Sequence, residues 1–354
     1  MLEKRITSRL TTRLVCDLAA EVGFQLCGVT TTFPLPDYER YRSWTERGLA
    51  GKMGYLTDRR GDMRDDPGKV LEGVKSVVSV GMIYNGPEPY STEFNDAERA
   101  WISRYAWGED YHDVVRDKLN RLAAAMLAVE PFAWRACVDT APLLERSLAK
   151  QAGLGWIGKN TCLINETVGS WFFLGELLTT LALKPGAEMP DRCGTCSRCI
   201  DACPTTAILP SPGGRFEIDS RLCIAYSTIE LRGPIPEWQR GQMGANVFGC
   251  DICQDVCPWN SPRRAAVTEE EAFAPAEFAP PLEQLAGLTP EEFRAMFRDS
   301  PVSRAKYSGF LRNVAVAMGN SGMAKFRPAL EKLAELDDAV VAEHARWALA
   351  QFSQ

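Results

Sequence analysis

Apolar residues at four-residue spacing, Leu10, Leu14, Leu18 and Val22, predict an amphipathic opening helix that stops at Gly23. The period then shortens. Residues 24–30 read as a strand, and after a segment rich in Gly, Arg and Asp the β-branched run at 75–83 reads as a buried one. Val115, Leu119, Leu122 and Met126 form the inner stripe of a second helix. Residues 134–138 make a further strand. Beyond it Thr140 is placed to cap a helix that carries Pro142 in its first turn and runs to about residue 152. A glycine-punctuated loop at 153–160 leads into strand-like stretches at 162–164 and 171–183. Helices and strands alternate irregularly, which predicts an α+β layer fold for residues 1–185 and not a regular parallel sheet.

Past residue 185 cysteine replaces periodicity. The run Cys193-x2-Cys196-x2-Cys199-x3-Cys203-Pro204 is followed by Cys223 alone and then by Cys250-x2-Cys253-x3-Cys257-Pro258. This is the spacing of bacterial two-cluster ferredoxins, in which three close thiolates hold one iron–sulfur cluster and the fourth reaches across to the other. Two sets of four thiols predict two [4Fe–4S] clusters over residues 186–262. A disulfide framework is disfavoured by chain length and the lack of a secretory segment. Zinc knuckles are disfavoured by the x2, x2, x3 run ending in proline. Cys16, Cys27, Cys137 and Cys162 lie outside the module and read as buried, inert thiols. Residues 263–300 read as a linker or a wrap returning to the core. Helical periodicity resumes at 310–319, 327–336 and 340–352. These short helices resemble units of a HEAT-type solenoid over 301–354, or else form a plain helical cap.

Composition narrows the class. With 354 residues and 45% hydrophobic content, the chain can fill the cores of two or three domains. Residues 1–14 carry no apolar signal core or twin arginine, and no run approaches a membrane span, so the cytoplasm is the expected compartment. A net charge of −6 gives no global sign of nucleic-acid binding, so any basic surface has to be local. Residues 301–328 supply one: Arg304, Lys306, Arg312, Lys325 and Arg327 occur there without an acidic residue. They form either a solvated helix face or a surface for RNA phosphates.

Storing electrons needs only the cysteine module, so other chemistry is sought before it. Asp139 ends a predicted strand, and with Thr140 able to cap the next helix its carboxyl is free to act as an acid. The two histidines are His112 and His344. Asp110-x-His112-x2-Val115 misses the cobalamin lower-ligand pattern D-x-H-x-x-G at its last position and reads as a helix start. Gly153-x-Gly155-x2-Gly158 follows a helix instead of linking a strand to one, and is not assigned to a dinucleotide.

Val138-Asp-Thr-Ala-Pro142, Gly155-Trp-Ile-Gly-Lys-Asn160, the ferredoxin-like run, Gly249-Cys-Asp-x-Cys-Gln-x2-Cys-Pro258 and Leu311-Arg-Asn-Val-Ala315, in this order, closely resemble the epoxyqueuosine reductases. The resemblance implies a cobalamin-dependent oxidoreductase with two [4Fe–4S] clusters, which reduces epoxyqueuosine to queuosine at the wobble position of tRNA. Its catalytic domain would be nitroreductase-like and related to that of reductive dehalogenases. Cys193, Cys196, Cys199 and Cys257 would hold the cluster nearer the cobalamin, and Cys203, Cys223, Cys250 and Cys253 the other. Asp139 would be the proton donor, acting as a neutral carboxyl if burial raises its pKa. Arg64, Ser103, Lys159 and Asn160 fall in segments resembling cobalamin-contacting regions, although some relatives have Cys where Ser103 stands. Arg146 would lie near the tRNA, and Arg304, Lys306, Arg312, Lys325 and Arg327 would face its anticodon stem. Without a complete histidine motif the cobalamin is expected base-off, with no protein His ligand. A flavodoxin- or ferredoxin-type donor and a monomeric state complete the expectation. A corrinoid reductive dehalogenase is the nearest competitor, disfavoured by the missing twin-arginine signal and by the basic tail. A ferredoxin-like electron carrier is the other, and would bind no cobalamin.

Overall fold

The computed structural model describes residues 9–31, 33, 35–275 and 277–352, so the first part of the amino-terminal stretch lies outside the described residues. Its centre is a four-stranded sheet of β1 (Leu26–Thr30), β2 (Ser76–Ile83), β3 (Trp134–Cys137) and β4 (Phe172–Thr179), in the order β1-β2-β4-β3 and antiparallel throughout. Helices α1 (Thr12–Glu21) and α2 (Tyr111–Leu127) cover one face, where Val15, Leu119 and Leu122 meet Val78, Val80 and Leu177. Helix α3 (Glu145–Gln151) covers the other through Leu148 and Ala149, against Val77, Leu178, Ile83 and Phe172. Every residue of β2 is buried. That two-sided burial is why its sequence runs apolar without alternation.

One expected element is displaced, and it matters for the site. The helix expected from Thr140 begins at Glu145, and residues 139–144 form a turn in which Asp139 has a φ of 52°. The Thr140 hydroxyl donates to the Val138 carbonyl at 3.3 Å and caps nothing. Two of the cysteines expected to be buried and inert are only partly buried, and the thiols of Cys16 on α1 and Cys27 on β1 face each other at 2.8 Å.

The segment at 263–300 hydrogen-bonds back to earlier parts of the chain. Thr268 donates to Asn85, Glu109 donates to Ala272 and Ala100 donates to Pro280, while Phe273, Leu282 and Leu285 are buried. It is not wholly extended, because Leu282–Ala286 and Pro290–Met296 are helical, the latter started by a Thr289–Glu292 capping box. The tail consists of α4 (Lys306–Asn320), α5 (Arg327–Ala334) and α6 (Ala339–Gln351). One hydrophobic core joins this tail to the wrap, to Trp101 and Ile102, and to Val247 and Phe248. No helix among the described residues is long and apolar enough to cross a membrane.

The tail also overturns one predicted contact. Arg312 was expected on an RNA-facing surface, yet it is 0% exposed. Its guanidinium donates to the carbonyls of Leu231 (2.9 Å), Gly233 (2.6 Å) and Ser227 (2.6 Å) and to Asn313 Oδ1. Asn313 in turn donates to the carbonyls of Thr228 and Val247. Arg312 points inward because these carbonyls, around the end of the helix Ile224–Ile229, need donors that no backbone N–H supplies. Burial pulls its pKa down to about 10, so it remains a cation at neutral pH.

Replacing Arg312 by leucine strands three buried carbonyls and should lower stability by roughly 3 kcal/mol or more, read from denaturant unfolding. Lysine, lacking the planar fork, should recover only part of the loss.

Candidate active site and cluster-binding loops

The thiols of the cysteine run stand near one another in the folded chain. Burial raises Cys199 to about 11, with the neighbouring Cys257, Cys193 and Cys196 pushing the same way. Together with Lys159, Asn160 and Trp259 these four cysteines line a cavity of about 340 Å³. In the second set burial raises Cys250 and Cys253, and Cys223 stands close enough to add to both, with Cys203 also acting on Cys250. Backbone N–H groups are aimed at the sulfurs: those of Tyr226 and Ala225 at Cys223, Ile252 at Cys250, Trp259 and Asn260 at Cys257. Ala207 N donates to Cys203 Sγ at 3.3 Å. Among the described residues no three Cys, His, Asp or Glu side chains close on a single-ion position. N–H donors directed at sulfur are the surroundings that iron–sulfur clusters take.

Lys159 and Asn160 serve these loops. Lys159 Nζ donates to the carbonyls of Gly194 and Cys196, both at 2.8 Å, and Asn160 Nδ2 donates to that of Cys253 at 3.2 Å. The glycine-punctuated segment thus fastens both cysteine loops to the sheet domain.

A second site forms where β3 ends. Asp139 Oδ2 lies 3.3 Å from His112 Nε2 and 3.8 Å from Arg304 Nη1. His112 sits in the first turn of α2, and its Nδ1 is 2.6 Å from Oδ1 of Asp110, the residue that caps the helix. Arg304 also pairs with Glu230 at 2.7 Å and lies over the Tyr55 ring. Tyr111 stacks on His112 at 4.1 Å on one side and on Phe173 at 4.3 Å on the other. The Asp139 side chain is 47% exposed, so it faces open space while protein crowds it from behind.

Desolvation raises the Asp139 carboxyl, but the hydrogen bond and charge of His112, with Arg304 and Arg146, outweigh it and hold the carboxyl below its usual range. Desolvation likewise lowers His112, and Asp110 and Asp139 overcome it, lifting the imidazole to about 9. At neutral pH the pair is imidazolium and carboxylate. The expectation of an Asp139 protonated by burial therefore fails, because a cationic neighbour outweighs the desolvation. The proton of the pair rests on His112.

The other predicted residues are placed as follows. Arg304 turns away from the outer face into the Asp139 site. Arg146 donates to Thr161 O at 2.5 Å and lowers the Asp139 pKa by its charge. Arg64 is buried, donating to the carbonyls of Arg60 and Tyr55. Ser103 is buried as well, its hydroxyl donating to Asp251, which also accepts from Trp101 Nε1 and Arg104 N. Lys306 lines an open groove of about 710 Å³ with Arg294, Arg298 and Tyr307. Lys325 pairs with Glu98, and Arg327 lies over the Phe352 ring. From the sequence His112 was read only as part of a helix start, which it is, and Glu145, Glu176 and Glu230 were not singled out. A signal existed for Glu176, a lone charge inside the apolar run of β4.

Two family models match the chain. One, described as a 4Fe-4S double cluster binding domain, covers residues 192–260. The other, described as epoxyqueuosine reductase QueG, DUF1730, covers residues 64–140. The chain is 44% identical to the epoxyqueuosine reductase of Xanthomonas campestris pv. campestris over 94% of each chain. It is 40% identical to that of Pseudomonas aeruginosa, over 96% of this chain and 93% of that one. The crystal structure of an epoxyqueuosine reductase with an epoxyqueuosine-modified tRNA-Tyr stem loop matches with a TM-score of 0.87 at 27% identity, covering 97% of this chain and 90% of that one.

The two histidines make the charge assignment testable. His344 is buried, accepts from Ile235 N at 3.0 Å, and is pulled down to about 4 by desolvation. Nitrogen-detected NMR titration should show one imidazole changing near pH 9 and the other near pH 4. The folded pKa of His112 lies above its unfolded value of about 6.5, so its pairing stabilises the site fully below that value and is lost as pH rises through about 9. Asp110→Asn should move the upper titration toward 6.5, and an unmoved midpoint would refute the pairing.

Proposed function

The chain belongs to the epoxyqueuosine reductase family, and on that premise we propose that it converts epoxyqueuosine in tRNA to queuosine at the Asp139 site. The observation that carries this placement is the hydrogen-bonded row Asp110, His112, Asp139, with Arg304 beside it. Removing the epoxide oxygen to leave an alkene takes two electrons and two protons and releases water. The chain has parts for both. The eight cysteines would hold two [4Fe–4S] clusters, which would supply single electrons taken from an external carrier of flavodoxin or ferredoxin type.

The donor set fits a corrinoid bound without a protein ligand. Both ring nitrogens of His112 face aspartates, and those of His344 face Ile235 and Val340. When bound, cobalamin supplies a strongly reducing, nucleophilic metal centre. The protein's residues do the rest. As the C–O bond breaks, charge develops on oxygen, and the Arg304 guanidinium offsets it. His112 passes its proton through the Asp139 carboxyl, while Asp110 holds the imidazole in register. Tyr55, Tyr105 and Tyr111 stand near the carboxylate and form the protein wall on its inner side.

The tRNA is the macromolecular partner in this reading. With Arg312 internal and Arg304 in the site, Lys306, Arg294 and Arg298 along the groove and Lys325 and Arg327 beyond it supply the phosphate contacts. The modified base would enter flipped out of its stack.

Mass spectrometry of nucleosides should show queuosine gained when epoxyqueuosine-containing tRNA meets the reduced, cobalamin-loaded protein. Asp139→Asn should slow that gain by on the order of 10²–10⁴-fold, and a rate near wild type would remove the acid role. Lys306→Glu combined with Arg298→Glu should weaken tRNA affinity and flatten its salt dependence, whereas an unchanged salt slope would rule the groove out. Electron paramagnetic resonance of the bound cobalamin should show no nitrogen splitting.

A further inference from the structure

We propose that Glu145 and Glu176 form a hydrogen-bonded carboxyl pair that clamps the Asp139 turn in its working position. The proposal rests on the reading that Asp139 serves the reaction, and it concerns positioning: neither glutamate touches the substrate.

Glu176 stands on β4 opposite Cys137, two residues before Asp139 along the neighbouring strand. It is 0% exposed, and neither of its oxygens receives an N–H or O–H from any described residue. The group beside it is the carboxyl of Glu145. Glu145 opens α3, and its Oε1 accepts the backbone N–H of Asp139 at 2.5 Å. Asp139 needs such a hold because its φ of 52° lies in the left-handed region, which residues with a side chain rarely adopt. A charge-assisted bond from a backbone N–H to a carboxylate is a strong one.

The pair works only if it keeps a proton. Two carboxylates in contact inside a protein repel each other at short range and low dielectric, so one stays protonated and donates its O–H to the other. Burial, and after it the charges of the neighbouring acids, raise both carboxyls. The charge of His112 draws Glu145 back down, but burial and the charge of Asp139 outweigh it. The facing groups are Asp139 on its turn, His112 and Tyr111 from α2 and Cys137 from β3, and the Arg146 side chain is directed to Thr161. With one proton, Glu176 donates to Glu145, and Glu145 accepts from both Glu176 and Asp139. Stripping that proton leaves two facing anions, pushes Glu145 off, and frees the turn. Since the folded pair is raised, the clamp is present at neutral pH and lost as pH climbs into the alkaline range.

Hydrogen–deuterium exchange of the peptide spanning residues 138–144 in the intact protein tests this without any turnover. Glu145→Ala should speed exchange at the turn about tenfold at neutral pH relative to the sheet, and in turnover it should lower kcat with little change in KM. Glu176→Gln keeps an N–H donor for Glu145 and should leave exchange at the turn near wild type. Raising the pH should loosen the turn of the wild type beyond the chemical acceleration of exchange, and leave that of Glu176→Gln unaffected. Equal protection in wild type and Glu145→Ala would overturn the clamp, as would identical pH responses in wild type and Glu176→Gln. If Glu145→Ala fails to fold, the second comparison decides. Because exchange is read without substrate, a failed clamp leaves the proposed activity standing, and a failed activity leaves the exchange result standing.

Discussion

Charge withdrawn from water must find a partner or give up its ionisation, and this structure answers that constraint at each important position. Arg312 meets three carbonyls and an amide oxygen. Arg104 lies between aromatic rings and donates to the carbonyls of Gly86, Glu88 and Pro89. Asp251, next to the ligand candidate Cys250, is held by Ser103, Trp101 and the Arg104 N–H. Glu176 has no opposing charge, and burial beside Glu145 raises its carboxyl instead. The cysteine thiols, raised by burial, become thiolates when iron supplies the opposing charge.

These solutions also divide the labour. The cysteine loops are held by main-chain donors and by Lys159 and Asn160, all short-range and rigid. The groups proposed to react are held by one another, His112 by two aspartates and Asp139 by His112 and Arg304. A proton moved within that row is felt by every member, which suits a site that must donate and be recharged.

Much of this was legible in the sequence. Cluster ligation demands fixed intervals along a chain, so the cysteines announce themselves, and a strand buried on both faces reads as the unbroken run of β2. Asp139 was legible because it ends a strand. His112 was not, because its meaning depends on a carboxylate brought to it by β3 and invisible in the local pattern. Arg312 misled for the opposite reason: its neighbours in sequence are uncharged or basic, as on a solvated face, and only the carbonyls of a helix far back in the chain turn it inward. The turn after β3 was read as a helix start because Thr140 and Pro142 suit one, and the bond from the Asp139 N–H to the Glu145 side chain six residues on holds the backbone in a different turn.

Arg304 reaches Asp139 from the far side of the cysteine module, carried there by the wrap that hydrogen-bonds along Asn85, Ala100 and Glu109. The working site is therefore assembled late. During synthesis the sheet, the Asp139 turn and the cysteine loops all emerge before the cation that completes them. A chain stopped ahead of Arg304 could fold its sheet and gather its thiols, yet it would lack the charge beside the carboxylate.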